Sequence, residues 1–270
     1  MIWTMTRKAL WDLRWATFWY ALGLALYIVL LAAFYPATQE LGAQVEELLR
    51  TYPEALLRAF GIDSEVGTLT TFAGFMHAQV FGLLWPLVAA IFVIMSGAAT
   101  VAQEVERGTA DLWLSVPASR PLLLSGKLAA LLFAILVVVV VSVLTLLASA
   151  WVLAVEFSLI AALQLGIVLF TFLVAIAGLS VLSSSLFSER GKAAAMVAAL
   201  VLAMYLAWVI AGLSDRFSWL RYVSLFTAYQ PRQALEGRGS SWEGLLALVA
   251  IGVGGALVSL VLFRRRDLVA

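Results

Sequence analysis

Six long runs of apolar residues dominate the chain, and polar stretches separate them. A helix that crosses a bilayer needs about 20 mostly apolar residues, and each run reaches that length. The runs cover residues 15–35, 80–102, 128–155, 157–186, 193–213 and 244–263. Only Glu156 separates the third run from the fourth, which predicts a tight hairpin turn there. The pattern predicts an all-α membrane protein, with one domain over residues 1–270 and six transmembrane helices.

Composition and charge agree with this prediction and suggest an orientation. The chain is 64% hydrophobic and 12% charged, whereas soluble domains are about 25% charged. An even number of spans places both termini on one side of the membrane. If that side is the cytoplasm, 11 of the 17 Lys and Arg residues lie inside and 6 lie outside. Because cytoplasmic loops carry an excess of Lys and Arg, we expect cytoplasmic termini.

Three further stretches lie outside the spans. Residues 1–14 combine Trp3 and Trp11 with basic residues, which favours an interfacial helix, although a simple charged flank that sets topology fits as well. The outer loop 36–79 is acidic, and its apolar spacing predicts two short amphipathic helices. Its carboxylates form either a solvated helix face or a cation site. The outer loop 214–243 is rich in aromatic residues, which fits an interfacial or re-entrant segment or the lining of a substrate exit.

The sequence lacks the residues that several kinds of chemistry require. There is no cysteine and only one histidine, His77, and no Asp, Glu, Lys, Arg or His lies within the six predicted spans. Neither Gly126-Lys127 nor Gly191-Lys192 has the spacing of a phosphate-binding loop. The chain therefore has no visible energy source, and we expect a partner to supply one. An intramembrane enzyme is disfavoured for the same reasons.

The polar loop over residues 103–127 stands out because it joins two of the most apolar runs. It reads Glu-x-Glu-Arg-Gly-Thr-x-Asp-Leu-x-Leu from residue 104 to 114 and continues through Pro117 and Arg120 to Gly126-Lys127. This pattern resembles the signature of ABC-2 type transporter permeases, the membrane subunits of ATP-binding cassette exporters. The likeness extends along essentially the whole chain, including the inner turn Ser-Glu-Arg-Gly-Lys that begins at Ser188. Trp113 departs from it, since small aliphatic residues are more usual there.

The resemblance implies a fold, a partner and a binding site. The fold is that of type V exporter-like permeases, and Glu104–Leu114 is a coupling helix that sits in a groove of a nucleotide-binding subunit. Gly108 would allow close approach of the two backbones. The implied contact residues are Glu104, Glu106, Arg107, Gly108, Thr109, Asp111, Leu112, Trp113, Leu114, Pro117 and Arg120. A second, smaller contact is implied at Glu189, Arg190 and Lys192.

The resemblance also implies a function for the chain. The chain is expected to be a permease subunit in the cell membrane that pairs with a second, identical or different, permease chain. The chain itself holds no catalytic residue, metal or cofactor, and ATP and Mg are bound by the partner ATPase. By analogy the first, second and fifth spans line the path. A path without charges suits a hydrophobic or amphipathic cargo, such as a drug-like compound, a lipid or a peptide, which would be exported. The alternative is a membrane subunit that transmits force or a signal and moves no cargo.

Overall fold

The architecture is a bundle of long helices with short helices at its two ends. A computed structural model describes residues 2–40, 71–108, 120–213 and 215–265. In chain order its α-helices are α1 (Ile2–Glu40), α2 (Phe72–Met76), α3 (Leu84–Ala98), α4 (Ala102–Glu106), α5 (Arg120–Val152), α6 (Leu159–Leu186), α7 (Arg190–Leu213), α8 (Leu225–Ala228), α9 (Pro231–Leu235) and α10 (Trp242–Arg265). A π-helical turn (His77–Phe81) follows α2, and a 3-10 helix (Asp215–Val223) follows α7.

The long helices confirm the prediction of an all-α membrane protein. Among the described residues, α1, α5, α6, α7 and α10 are each long and apolar enough to cross a membrane. The pair formed by α2 with its π turn and α3 makes a sixth candidate, bent by 41°. Helix α5 begins at Arg120 rather than at residue 128. The last part of the predicted polar loop is therefore helical, and Lys127 lies on α5.

The first helix differs from the sequence prediction. Residues 1–14 were predicted to form a separate interfacial helix, but α1 continues without a break from Ile2 to Glu40. At 1.5 Å per residue its 39 residues are about 58 Å long, well beyond the roughly 30 Å hydrocarbon core. No glycine or proline occurs between Ile2 and Trp15 to end a helix. The predicted interfacial helix and the first span therefore form one continuous helix.

The second span also differs, because it is a broken helix over residues 72–98 and not a continuous one over residues 80–102. The π turn frees backbone carbonyls, which must find donors inside a membrane. The Tyr27 hydroxyl donates to the Gln79 carbonyl at 2.6 Å, and the buried Tyr229 hydroxyl donates to the Phe81 carbonyl at 2.8 Å. Two tyrosines from distant parts of the chain therefore stabilise the bend.

Helix α6 is the centre of the bundle. In its most apolar stretch 67% of the residues are buried, against 22% in α7 and in α10. It packs most extensively against α10 and also contacts α3, α5 and α7, while α1 packs chiefly along α5. A Cβ atom on Gly252 of α10 would lie 2.6 Å from the Val174 carbonyl oxygen of α6, so glycine allows this close approach. Farther along, the Ser185 and Ser259 hydroxyls are hydrogen-bonded at 2.5 Å.

The segment after α7 folds back into the bundle. Phe226 and Tyr229 are buried against the ring of Phe172, near the middle of α6. The Ser224 hydroxyl donates to the Met204 carbonyl at 2.7 Å, nine residues, or about 13 Å, before the end of α7. Of the two interpretations of this aromatic loop, the contacts favour a re-entrant segment.

Candidate functional site

The candidate site lies at one end of the bundle, called here the basal end. It contains the first turns of α1, α5 and α7, the last turns of α3, α6 and α10, and residues 99–108 with α4 between them. Hydrogen bonds across these elements show that they meet: Ser184 of α6 bonds to Ala98, Lys127 of α5 to Thr100, and the backbone of Arg190 to Glu106. The opposite, distal end contains the hairpin turn after α5 and the re-entrant segment.

Ser184 holds the start of α4. Its fully buried hydroxyl accepts hydrogen bonds from the Val101 and Ala102 backbone N–H groups, both at 2.9 Å, and donates to the Ala98 carbonyl at 2.8 Å. The first N–H groups of a helix have no partner within it, and a serine hydroxyl is a preferred acceptor for them. Here the serine comes from another helix, so this cap also attaches α4 to α6.

Glu104 and Lys127 join α4 to α5. The Lys127 Nζ atom lies 2.9 Å from the Glu104 Oε1 atom and donates to the Thr100 carbonyl at 2.7 Å. The two side chains are 13% (Lys127) and 28% (Glu104) exposed. A charge-assisted hydrogen bond this sheltered from water is stronger than a surface ion pair. Glu104 therefore points into the bundle instead of out toward a partner.

Glu106 joins α4 to α7. Its Oε2 atom accepts a hydrogen bond from the Arg190 backbone N–H at 2.9 Å, at the first residue of α7, where a carboxylate is favoured by the helix dipole. The two predicted contact regions, around Glu104 and around Arg190, are therefore adjacent. Beside them Lys192 and Glu189 form an exposed ion pair.

Gly108 turns the backbone at the end of α4. Its φ angle is +64°, and a Cβ atom there would meet nothing within 4 Å. No atom of the described structure therefore approaches Gly108 closely, and close approach to a partner's backbone stays a prediction. Gly108 follows the helix cap at Arg107, a position that commonly requires the left-handed conformation. Accordingly α4 ends at Glu106, and residues 109–114 of the predicted coupling helix lie outside the described residues.

Of the remaining predicted contact residues, only Arg107 and Arg120 lie within the described part of the chain. Arg107 is exposed on the surface. Arg120 begins α5, and its side chain is outside the described part. The other predicted contact residues lie outside the described residues: Thr109, Asp111, Leu112, Trp113, Leu114 and Pro117.

The sequence analysis did not predict several residues that bond to the site residues and hold them in place. Ser184, Thr100 and the Met95 carbonyl were not predicted, although the Ser-Ser-Ser run over residues 183–185 of a predicted span was a visible signal. Hydroxyls inside a span more often join helices than bind ligands. Ser184 does join helices, and it does so at the site.

Comparison with known families supports the resemblance seen in the polar loop. A family model described as "ABC-2 family transporter protein" matches residues 12–268. No curated protein gives a match. The family match covers nearly the whole chain and includes the basal end except residues 2–11 at the start of α1. The chain therefore belongs to the ABC-2 family of transporter membrane proteins.

Proposed function

We propose that the chain is the permease subunit of an ABC exporter, and that its basal end faces the cytoplasm and binds a nucleotide-binding subunit. The family in general associates with an ABC ATPase subunit. The observation that carries the proposal is the attachment of residues 99–108 to three long helices. Ser184 ties this segment to α6, Lys127 ties it to α5, and Glu106 ties it to α7. A partner that pushes this segment moves all three helices.

This arrangement separates two tasks within the predicted coupling region. The sheltered Glu104 is bound to Lys127 and the exposed Glu106 is bound to the start of α7, so both would transmit force, whereas the exposed Arg107 is positioned to meet a partner. Gly108 turns the chain sharply after Arg107. The apolar anchors for the ATPase groove are then Leu112, Trp113 and Leu114, as the family resemblance implies.

An apolar groove supports a hydrophobic or amphipathic cargo. A groove of about 410 Å³ lies between α1 and α3. Its lining is formed by Trp19, Tyr20, Gly23, Leu24, Tyr27, Leu84 and Val88, of which none carries a carboxyl, amino, guanidinium or imidazole group. Such a wall offers an apolar cargo favourable contact and offers an ion no counter-charge. Pairing with a second permease chain would enclose this groove as part of a path.

Sidedness is tested by cysteine labelling, because the native chain contains no cysteine. Arg107→Cys marks the basal end and Glu156→Cys marks the exposed turn at the distal end. A membrane-impermeant maleimide should label Glu156→Cys in intact cells and Arg107→Cys only in inside-out vesicles. The reverse pattern would refute the proposed orientation.

Coupling is tested with the permease co-expressed with its ATPase and reconstituted in proteoliposomes. Glu106→Lys, alone or with Glu104→Lys, should leave the protein in the membrane but abolish co-purification of the ATPase or stimulation of its turnover. Glu156→Lys is the matched control and should change neither. Uptake of a lipophilic dye or a fluorescent lipid should depend on ATP. ATPase stimulation without uptake would favour force transmission without cargo, and stimulation by a small inorganic ion alone would refute the cargo class.

A further inference from the structure

A second cavity, of about 430 Å³, lies at the basal end between the first turns of α1, the end of α3 and the start of α5. The function proposed above does not use it. Its charged lining residues are Lys8, Asp12, Glu104, Lys127 and Arg190. The rest of its wall is largely apolar and includes Tyr20 and Phe92, whose ring centroids are 5.2 Å apart. The cavity therefore has a charged part and an apolar part.

The charged part has one more cation than anions, and the guanidinium of Arg190 has an unsatisfied donor among the described residues. Glu104 is bound by Lys127. The Arg190 side chain reaches the Met95 carbonyl only at 3.4 Å, and its Nε atom is buried without a hydrogen-bond partner among the described residues. A guanidinium group has five N–H donors in a planar fork that fits phosphate oxygens. Because a buried donor without an acceptor is unfavourable, Arg190 is prepared for an anionic oxygen.

The position of the cavity indicates which molecule supplies that oxygen. The long helices α1 and α5 enter the apolar part of the bundle beside it, so the cavity lies near the level of the lipid headgroups. Arginine and lysine at this level bind anionic headgroups. The apolar wall formed by Tyr20 and Phe92 would contact the beginning of the acyl chains. A free phosphate has no apolar part and would gain nothing from this wall.

We propose that this cavity binds the headgroup of an anionic phospholipid, with the phosphate at Arg190 and Lys8 and the acyl chains leaving along Tyr20 and Phe92. The bound lipid would strengthen the coupling segment, because the backbone N–H of the same Arg190 is held by Glu106. This inference is independent of the cargo, since the lipid is held whether or not it is also transported.

Binding is measured on the purified, delipidated full chain by native mass spectrometry or thermophoresis. The probe is dioctanoyl phosphatidylglycerol, and the comparison ligands are dioctanoylglycerol, which lacks the phosphate, and inorganic phosphate. Arg190→Gln and Lys8→Gln should each weaken phosphatidylglycerol binding about tenfold or more, as expected for loss of a charge-assisted hydrogen bond. Lys192→Gln is the matched control, because Lys192 lies on the same turn but outside the cavity; it should bind as the native chain does.

Three results of these binding measurements would overturn the proposal. Equal affinity of both cavity variants and the native chain would overturn the proposal. Equally tight binding of dioctanoylglycerol would show apolar contact without headgroup recognition, and equally tight binding of inorganic phosphate would show a site for a soluble anion; either would also overturn it. If Arg190→Gln does not fold, Lys8→Gln decides the result. A photoactivatable phosphatidylglycerol should crosslink near Phe92.

Discussion

The ion pair between Glu104 and Lys127 offers the sharpest test of how α4 is held. Lys127→Met keeps much of the length of the side chain but removes its charge and its hydrogen bonds to Glu104 and to the Thr100 carbonyl. Glu104→Gln keeps the shape of the acceptor and removes its charge. Together the two changes form a double-mutant cycle, which measures the interaction between the two side chains.

The expected loss of stability follows from the burial of the Glu104–Lys127 pair. A hydrogen bond to a charged group contributes about 1.5–3 kcal/mol, and the side chains are only 13% (Lys127) and 28% (Glu104) exposed. Lys127→Met also leaves the Glu104 carboxylate sheltered without this cation, so we expect a loss of about 3 kcal/mol. Glu104→Gln retains a neutral hydrogen bond and should cost about 1 kcal/mol. The double variant should lose less than the sum, with a coupling of about 1–2 kcal/mol.

The assay is thermal unfolding of the full chain in nanodiscs, followed by tryptophan fluorescence. For a protein of this size a change of 1 kcal/mol shifts Tm by about 2–4 °C, so Lys127→Met should lower Tm by roughly 6 °C or more. Lys192→Met is the control. Its ion pair with Glu189 is more than half exposed on both sides, and exposed pairs contribute about 0–1 kcal/mol. Strictly additive single variants, or equal shifts for Lys127→Met and Lys192→Met, would refute the role assigned to the pair.

Three further changes test packing, the bend and the turn. Gly252→Val should markedly lower the yield or the Tm of the protein, because its side chain meets a backbone carbonyl of α6, whereas Gly254→Val, with open space around it, should be tolerated. Tyr229→Phe should cost about 1–3 kcal/mol by leaving a buried carbonyl at the bend without its donor, and Tyr222→Phe, which alters a 93% exposed ring, should leave Tm unchanged. Gly108→Ala should cost about 1–2 kcal/mol from its left-handed backbone and weaken ATPase co-purification; unchanged co-purification would show that this turn does not position the contact.

Under the proposed function, a partner that pushes the basal end would move several long helices together. Residues 99–108 are held by the Ser184 hydroxyl of α6, by the sheltered ion pair with Lys127 of α5, and by the hydrogen bond from the Arg190 backbone N–H of α7 to Glu106. Helix α6 in turn is locked to α10 by glycine contacts and by the Ser185–Ser259 hydrogen bond. Packed helices of this kind move as rigid bodies rather than deforming. The segment is therefore suited to transmit displacement.

Several properties were readable from the order of residues alone. The number of spans and their approximate positions follow from apolar runs that are too long for anything but a transmembrane helix. The family follows from the polar loop, whose charged and glycine residues have a recognisable spacing within a short stretch. These are local signals, because each depends on residues that are close together in the chain.

Other properties arise only when distant residues meet. Ser184 and Ala102 are 82 positions apart, and Glu106 and Arg190 are 84 apart, so no local pattern reveals that they bond. The bend in the second span is stabilised by tyrosines from α1 and from the re-entrant segment, and apolar spacing cannot predict it. Gly108 is an example at a single residue, because the sequence around it is compatible with a close contact or with a turn. Only the folded backbone, through its positive φ, shows that Gly108 makes a turn, and a close contact with a partner stays a prediction.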